Sequence, residues 1–408
     1  MKNNFQKFSV LFSLYVAQAI PMSFFSTIVP VIMRQENYSL ESIAMLQLLK
    51  LPWIAKFLWA PVIDRNSNTT SDYRKWIFIS ELFYAIIIFS IGFLSLQFDF
   101  TLIIILVIIA FVASATQDIA TDAYAILLLE KSERGFGNSM QSAGSFVGTL
   151  VGSGFLLVLY HYYGWKLLLF GLSIFVLIAV IPLYFFKKNG QIEKKERSKA
   201  SLKDVGSFFK QKKILGHILL LLTFYSGIIG ILTMLKPYLV DIGFNARDIG
   251  FVVGIIGTSV GALSALAAGW IVKRYDRVKV YMMFLSVSLF ISLFFVCITF
   301  QPVHSSFIYF GIVVLWMAYG LSTVVIYTSA MDRVRPGKEG TDFTLQIVLT
   351  HLGSIIIATQ SGRIADALGY RGLFYIEVGL VMLTFMIILI FRNHLYENEK
   401  PKEIAEQV

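Results

Sequence analysis

Charge and cysteine are both scarce in this chain of 408 residues. Charged side chains make up 15% of it and apolar side chains 57%, and the mean hydropathy is +0.72. The single cysteine, Cys297, excludes an intramolecular disulfide and indicates no redox compartment. The sequence also lacks a zinc-ligand cluster, a phosphate-binding glycine loop and a Ser/His/Asp arrangement with supporting context. We therefore expect neither a metal centre nor a cofactor, and an enzyme is disfavoured.

Long apolar runs are abundant instead. Each run has about 20 residues, enough for a helix to cross about 30 Å of hydrocarbon. We predict twelve transmembrane helices, numbered here as spans one to twelve: 9–33, 41–63, 76–97, 101–129, 138–160, 165–186, 214–239, 249–272, 280–300, 306–330, 343–364 and 372–392. No soluble domain fits between them, so the fold class is an all-α integral membrane protein. The first run has no small-residue cleavage site after it, and we expect it to be retained rather than cleaved as a signal peptide.

Basic residues are distributed unequally between alternate loops. The segments on the same side as the N-terminus hold 27 of the 35 Lys and Arg residues, whereas the opposite side holds five. This asymmetry predicts that both termini lie in the cytoplasm, and an even number of spans agrees. The net charge of +10 is therefore a topology signal and does not indicate a nucleic-acid partner.

The longest polar stretch, residues 187–213, divides the chain into two sets of six spans, 1–186 and 214–408. We interpret the stretch as a solvated cytoplasmic linker that could touch anionic lipid headgroups. The two halves carry similar motifs at equivalent positions, after the second span of each half. APVIDR at residues 60–65 precedes Arg74, and GWIVKR at residues 269–274 precedes Asp276 and Arg277. This plan resembles the major facilitator superfamily, whose two six-helix halves are pseudo-symmetric repeats. The resemblance implies that Asp64, Arg65 and Arg74 belong to a loop that latches the cytoplasmic gate.

A narrower resemblance rests on three motifs. LPWIAKFLWAPVIDR at residues 51–65 and ATQDIATDAY at residues 115–124 resemble the AmpG-type muropeptide permeases. Their branch also contains acetyl-CoA transporters and siderophore permeases of the rhizobactin and pyochelin type. Arg335-Pro336 and GTDFTLQ at residues 340–346 look more like the siderophore permeases.

Glycines recur at helical spacing in span five (Gly144, Gly148, Gly152) and span eight (Gly250, Gly254, Gly257, Gly261). Small residues let helices approach closely in lipid. In the superfamily these two spans face each other across the halves, so a sliding gate and ordinary helix packing are both open. Span five has no proline between Gly144 and Gly154, which favours uptake over the antiport that the family's antiporter motif would indicate.

Charged residues within spans indicate that the protein moves a polar solute through the membrane. A charge at that depth costs several kcal/mol unless it is paired or faces a water-filled cavity. Asp118 and Asp122 are four residues apart and share one face of span four. Two such carboxylates repel each other, and one of them can carry a proton. Alternatively, Asp118 forms a structural salt bridge with Lys56, which falls at a similar depth. Lys50 points about 120° away from Lys56, so we expect it to contact substrate, with a structural pair as the alternative.

The remaining candidates are less specific. His351 in span eleven is either a proton relay or a packed neutral side chain, and Lys236, on the same face as Tyr225, either binds substrate or extends to the interface. A stripe on span ten comprises Trp316, Tyr319, Thr323 and Tyr327. It either packs against other helices or binds sugar or aromatic rings of a substrate.

Gln18 and Gln346 are further substrate candidates, and Glu81 and Glu377 could be structural.

The function expected from these observations is proton-coupled import of a bulky, polar, anionic solute by a monomer in a bacterial inner membrane. Its partners are then the solute, protons and the lipid bilayer. A ferric siderophore is the first choice and a muropeptide follows. The alternatives are an acyl-CoA-related transporter, a membrane acyltransferase with His351 as its base, and a non-transporting receptor of the same fold.

Overall fold

A computed structural model describes residues 2–35, 51–186, 199–300 and 304–396, and all regular secondary structure in these ranges is helical. The helices before the linker are Lys2–Ser23, Val29–Gln35, Leu51–Ala55, Ala60–Arg65, Thr70–Ile91, Phe100–Leu128, Arg134–Leu150, Leu156–Ala179 and Ile181–Phe185. π-Helical turns at Phe24–Ile28 and Val151–Phe155 and 3-10 turns at Lys56–Leu58 and Lys131–Glu133 join some of them.

The second half of the chain begins with a short helix in the linker, Leu202–Phe208, followed by the helices of spans seven to twelve. These are Ile214–Thr223, Ser226–Asp241, Ala246–Ile249, Thr258–Arg274, Arg277–Ile298, Ser305–Asp332, Glu339–Ile390 and Arg392–Tyr396, with a π-helical stretch at Gly250–Gly257.

Eight helices in the described ranges are long and apolar enough to cross a membrane. Two of them, Lys131–Phe185 with 55 residues and Glu339–Ile390 with 52, are too long for one crossing. Each contains a glycine with left-handed backbone angles, Gly164 at φ 69° and Gly369 at φ 71°. A glycine tolerates this conformation without steric cost. The chain turns there, so each long helix contains two of the predicted spans.

The same contact follows both turns. Lys166, two residues after Gly164, lies 5.1 Å from the ring centroid of Phe93, just beyond the end of the span-three helix at Ile91. Arg371, two residues after Gly369, lies 4.3 Å from the ring centroid of Phe300, just beyond the end of the span-nine helix at Ile298. A cation over an aromatic ring is attracted by the ring quadrupole. The six-span pattern thus repeats in detail at equivalent positions.

The described helices form two compact units. The first comprises residues 1–130, 140–205 and 335–345, and the second comprises residues 131–139, 206–334 and 346–408. In the first unit, two clusters of buried side chains run along spans one, three, four and six, one around Phe24, Phe111 and Leu172 and one around Leu14 and Tyr73. The beginnings of spans five and eleven therefore belong to the unit built mainly from the other half of the sequence.

Glycines in both units mark close helix packing. A Cβ atom on Gly148 would lie 2.5 Å from Ala19 Cβ, and one on Gly152 would lie 2.5 Å from the carbonyl oxygen of Ile20. In the second unit, a Cβ atom on Gly257 would lie 2.4 Å from Trp316 Nε1. Gly148 and Gly152 of span five therefore pack against span one, and Gly257 packs against span ten. At these positions the glycines serve ordinary helix packing, one of the two roles considered for them above.

Span two changes its helical form at its lysine. The α-helix Leu51–Ala55 tightens into the 3-10 turn Lys56–Leu58 before the next helix begins at Ala60. Pro61 causes the break, because its ring lacks an N–H donor and clashes with the carbonyl four residues earlier. The tighter turn places Lys56 in the interior, where its exposed fraction is only 1%.

Candidate functional site

A buried ion pair lies inside the first unit. The Nζ atom of Lys56 donates a hydrogen bond to Oδ2 of Asp118. The exposed fractions are 1% for Lys56 and 4% for Asp118, and Lys56 Nζ also lies 4.8 Å from the ring centroid of Trp53. Removing either partner would leave an uncompensated buried charge, which is strongly unfavourable. The structure therefore brings together the two charges that sequence depth suggested.

Asp122 lies one turn further along span four and has different partners. Its Oδ1 atom accepts a hydrogen bond from the Tyr15 hydroxyl at 2.6 Å and a longer one from Gln141 Nε2 at 3.3 Å. Tyr15 belongs to span one and Gln141 to span five, so this carboxyl connects three spans. Asp122 is 1% exposed.

The charges of this cluster do not balance. Among the described residues, two carboxyl groups, Asp118 and Asp122, face one ammonium group, Lys56. The hydrogen bonds that Tyr15 and Gln141 donate to Asp122 compensate poorly for the water that an ionised carboxylate loses on burial. Binding one proton neutralises the cluster, and releasing it restores a negative charge that must be compensated from elsewhere. The geometry can therefore hold and release a proton inside the membrane.

Two neutral contacts surround the charged cluster. Gln18 of span one donates from Nε2 to Oε1 of Gln117, the residue that precedes Asp118. Trp59 of span two donates from Nε1 to the Thr116 hydroxyl at 3.1 Å. Gln18, a predicted substrate residue, therefore lies in the same polar layer as the ion pair.

Polar candidates in the second unit are placed differently. Oε1 of Gln346 lies 2.6 Å from His217 Nε2, and Gln346 Nε2 donates to the Ala330 carbonyl at 3.0 Å. Gln346 is fully buried in these contacts. His351, five residues further along span eleven, is half-buried. His217 was not among the sequence-derived candidates, because a lone histidine near the start of an apolar run carries no spacing signal.

Aromatic candidates of the second unit form one cluster. The ring centroids of Tyr225 and Tyr319 are 5.8 Å apart, and those of Trp316 and Tyr319 are 6.1 Å apart. The Thr323 hydroxyl instead donates to the Gly320 carbonyl of its own helix at 2.8 Å. Lys236 is exposed on the helix that Tyr225 precedes, whereas Tyr225 is buried. Lys50 lies outside the described residues, so its predicted role stays a prediction.

The latch residues separate into three environments. Asp64 is fully buried and accepts hydrogen bonds from the backbone of Gly340 and Thr341 and from the Tyr73 hydroxyl. Burial is the largest influence and raises the pKa of Asp64 from 3.8 to about 6, despite these hydrogen bonds. Arg74 donates to the carbonyls of Leu183 and Phe186 at the end of span six, whereas Arg65 is exposed.

Two further ionic networks were not recognised from the sequence. In the second unit, Asp332 accepts from Arg134 Nη1 at 3.0 Å and from Arg277 Nε at 2.9 Å. In the first unit, Arg335 forms a two-pronged pair with Asp342, with N···O distances of 2.6 and 2.7 Å. The Asp332 network joins three different predicted loops, whereas Arg335 and Asp342 lie in the same loop, before span eleven. The only sequence pattern that could have indicated these pairs is the mixture of acidic and basic residues in the loops. That pattern does not specify which residue pairs with which.

The linker helix takes part in the second of these networks. Asp204 receives the ammonium group of Lys338 and the backbone N–H of Ser201, and its carbonyl accepts from Arg335 Nη2 at 2.9 Å. Burial acts to raise the pKa of the Asp204 carboxyl. The hydrogen bonds from Lys338 and Ser201 and the charges of Lys338 and Arg335 outweigh burial, so the pKa lies below its ordinary value.

The family follows from the sequence profile. The profile of the Major Facilitator Superfamily matches residues 11–358. The chain belongs to this superfamily. It is therefore a multi-pass membrane transporter, and the predicted twelve-helix fold and the preference for a transporter over an enzyme are confirmed.

Curated relatives agree on the branch within the superfamily. The chain is 25% identical over 401 residues to an uncharacterised protein of Haemophilus influenzae, covering 94% of each chain. It is 22% identical to the anhydromuropeptide permease of Escherichia coli strain K12, covering 95% of this chain and 80% of that one. Similarity to putative transporter AmpG 1 of Rickettsia bellii is 22% identity, covering 89% and 92%. These relatives confirm the resemblance to the AmpG-like branch.

Solved structures show the same fold. A bacterial homologue of the iron transporter ferroportin, in an outward-facing state, superposes with a TM-score of 0.72 at 17% identity, covering 95% of this chain and 99% of that one. The transporter FucP in its outward conformation gives a TM-score of 0.69 at 14% identity, covering 97% and 99%. At these identities the likeness concerns the fold alone.

Proposed function

We propose that this member of the superfamily imports a bulky, polar, anionic solute of the muropeptide class by coupling its movement to protons. The observation that carries the proposal is the unbalanced cluster in the first unit. One lysine, Lys56, faces Asp118, whereas the second carboxyl, Asp122, accepts from two neutral donors among the described residues, Tyr15 and Gln141. A buried group that gains and loses a proton provides the means of coupling.

The substrate class rests on two supports. The E. coli relative that matches 95% of this chain is described as an anhydromuropeptide permease. A muropeptide carries carboxylates, and Lys50 is the mid-span cation that the sequence offers to an anion. A charge-assisted hydrogen bond to such a group contributes about 1–3 kcal/mol.

A ferric siderophore, the first choice from the sequence, now has less support. That choice depended on Arg335 and on residues 340–346. In the structure Arg335 pairs with Asp342, the backbone at Gly340 binds Asp64, and Gln346 bonds to His217. These contacts account for the motif through packing within the protein, so the motif no longer favours one substrate.

Transport by purified protein in proteoliposomes tests this function. An imposed proton gradient should drive accumulation of a radiolabelled anhydromuropeptide, and a protonophore should abolish it. A ferric hydroxamate siderophore, tested in parallel, should not accumulate. Accumulation of the siderophore alone would contradict the proposed substrate class. Accumulation that persists in the presence of the protonophore would contradict proton coupling.

Lys50→Gln tests the anion contact separately. We expect binding of the anhydromuropeptide to weaken by about 1–3 kcal/mol, because the charge-assisted bond is lost. Lys50→Arg should recover binding only in part, because its guanidinium is larger and planar. Lys273→Gln, which neutralises an exposed lysine of the second unit outside the candidate site, is the matched control and should leave binding unchanged. Unchanged affinity in Lys50→Gln would make Lys50 a structural charge.

A further inference from the structure

A third carboxyl group lies deep in the first unit, and the proposed coupling does not yet use it. Glu81 is in span three and has an exposed fraction of 2%. Both of its carboxyl oxygens are buried and lack a hydrogen-bond partner among the described residues. An ionised carboxylate cannot persist there without strong compensation. We therefore expect Glu81 to be neutral in this conformation, with a proton on its carboxyl.

Glu81 lies at nearly the same depth in the membrane as Asp118 of the charged cluster. Spans three and four pack against each other. The helix of span three begins at Thr70, so Glu81 is 11 residues from that end, and Asp118 is 10 residues from Leu128, where the helix of span four ends. The spans run in opposite directions, which places both carboxyls at nearly the same depth.

Hydroxyl groups lie beside Glu81 on both helices. Tyr84 is three residues further along span three, on the same buried face, whereas Leu82 and Phe83 are exposed. Ser114 lies four residues before Asp118, on the face of span four that carries both aspartates. The hydroxyls of Tyr84 and Ser114 are neighbours, and neither has a hydrogen-bond partner of normal geometry among the described residues. Hydroxyl groups donate and accept hydrogen bonds, so both can serve as partners for a carboxyl whose surroundings rearrange.

Within the part of the chain that the structure describes, no other ionisable group on the helices packed against span three neutralises Glu81. On span four, these groups are Asp118, Asp122 and Tyr124. Span six also packs on span three; it carries Lys166, which lies over Phe93 and Phe170, and Tyr184, which is 67% exposed. Lys56, which reaches this depth, donates to Asp118 instead.

We propose that Glu81 is a second proton-binding site of the transport cycle. It holds one proton in the conformation described here, and it releases that proton when span three moves and the carboxyl becomes hydrated. The proposal rests on the proton coupling inferred above. It adds that the coupling is shared between span three and span four, through one carboxyl on the former and two on the latter.

Glu81→Gln tests the proposal, because glutamine imitates the protonated acid in shape but cannot release a proton. Proteoliposomes with an internal pH dye report protons moved per labelled anhydromuropeptide. We expect uphill accumulation to fall at least tenfold and the ratio of protons to substrate to fall, whereas counterflow exchange stays within twofold of wild type. Glu377→Gln is the matched control, since that carboxyl of the second unit fills the space beside Gly230; it should retain coupling.

Wild-type accumulation and an unchanged proton ratio in Glu81→Gln would overturn the proposal and leave the coupling through span four intact. Absence of substrate-linked proton movement in the wild type would overturn the proposed coupling itself. If Glu81→Gln does not reach the membrane, Glu81→Asp provides the answer. It retains a titrating carboxyl displaced by one methylene, so the pH profile of uptake should shift; an unchanged profile would make Glu81 a structural acid.

Discussion

Asp64 at the end of span two binds the beginning of span eleven through Thr341. Its Oδ2 atom accepts from the Thr341 backbone N–H at 2.7 Å and from the Thr341 hydroxyl at 2.6 Å, although 277 residues separate the two in sequence. A carboxylate at a helix N-terminus satisfies free N–H groups and interacts favourably with the helix dipole. The charge distribution predicts that this contact is cytoplasmic, and it joins the two halves of the sequence.

This contact should strengthen on mild acidification. The pKa of Asp64 is raised to about 6, against 3.8 in water, so the contact binds a proton more tightly than the separated carboxyl does. The stabilising effect is complete below about pH 4 and is lost as the pH rises through 6, with a limit of about 3 kcal/mol. Spin labels on the exposed Asn66 and Pro336 should report the fraction of molecules in which the Asp64–Thr341 contact is formed, called here the closed population. This fraction should be larger at pH 5 than at pH 7.5.

Asp64→Asn is the control for that measurement. The amide does not titrate, so the population should no longer change between pH 5 and 7.5. The closed population should also fall, because the amide NH₂ opposes the donors of Gly340 and Thr341, which costs about 1–3 kcal/mol. Retention of the pH response by Asp64→Asn would assign it to another group.

The linker helix should help to hold the same segment. Neutralising Asp204 with Asn or Lys338 with Met removes the pair between the linker and the beginning of span eleven. Each change should lower the unfolding free energy by on the order of 1 kcal/mol, because both groups are partly accessible to water. Since the pKa of Asp204 is lowered, its contribution is present above about pH 4 and disappears below it, opposite to Asp64.

Thermal unfolding in detergent at low and high salt measures this pair. The difference between wild type and Asp204→Asn should shrink in 1 M salt, where surface charges are screened. Lys203→Met, which neutralises an exposed neighbouring lysine, is the matched control and should leave the midpoint unchanged. A deficit that is independent of salt would indicate lost packing of the linker helix instead.

Helical periodicity explains what the sequence could predict about the cluster. Residue counts from the span ends place Lys56 and Asp118 at a similar depth, and both must avoid lipid, so their pairing could be predicted as one of two alternatives. The partners of Asp64 and Gln346 do not follow in this way. Thr341 and His217 reach them through tertiary packing, for which no local pattern exists. The motif at residues 340–346 was therefore interpreted as a substrate marker, although its contacts are internal.

The Lys56–Asp118 pair should show strong coupling in a double-mutant cycle. Lys56→Ala or Asp118→Ala alone leaves a buried charge without its partner and should destabilise the protein by about 3–5 kcal/mol. The double variant removes both charges and should recover most of that loss. Unfolding midpoints and the amount of folded protein in the membrane provide the measurement. Additive losses would mean that the two side chains do not stabilise each other.

Asp122→Asn should separate substrate movement from proton movement. The amide keeps the size of the side chain and an acceptor for the Tyr15 hydroxyl, so the packing of spans one, four and five should survive. It cannot release a proton, so uphill accumulation of the anhydromuropeptide should be lost while counterflow exchange persists in part. Tyr15→Phe, which removes one donor at 2.6 Å and no charge, should retain accumulation with a displaced pH profile. Uphill transport by Asp122→Asn that a protonophore still collapses would exclude Asp122 from the proton path and leave Asp118 and Glu81 to carry it.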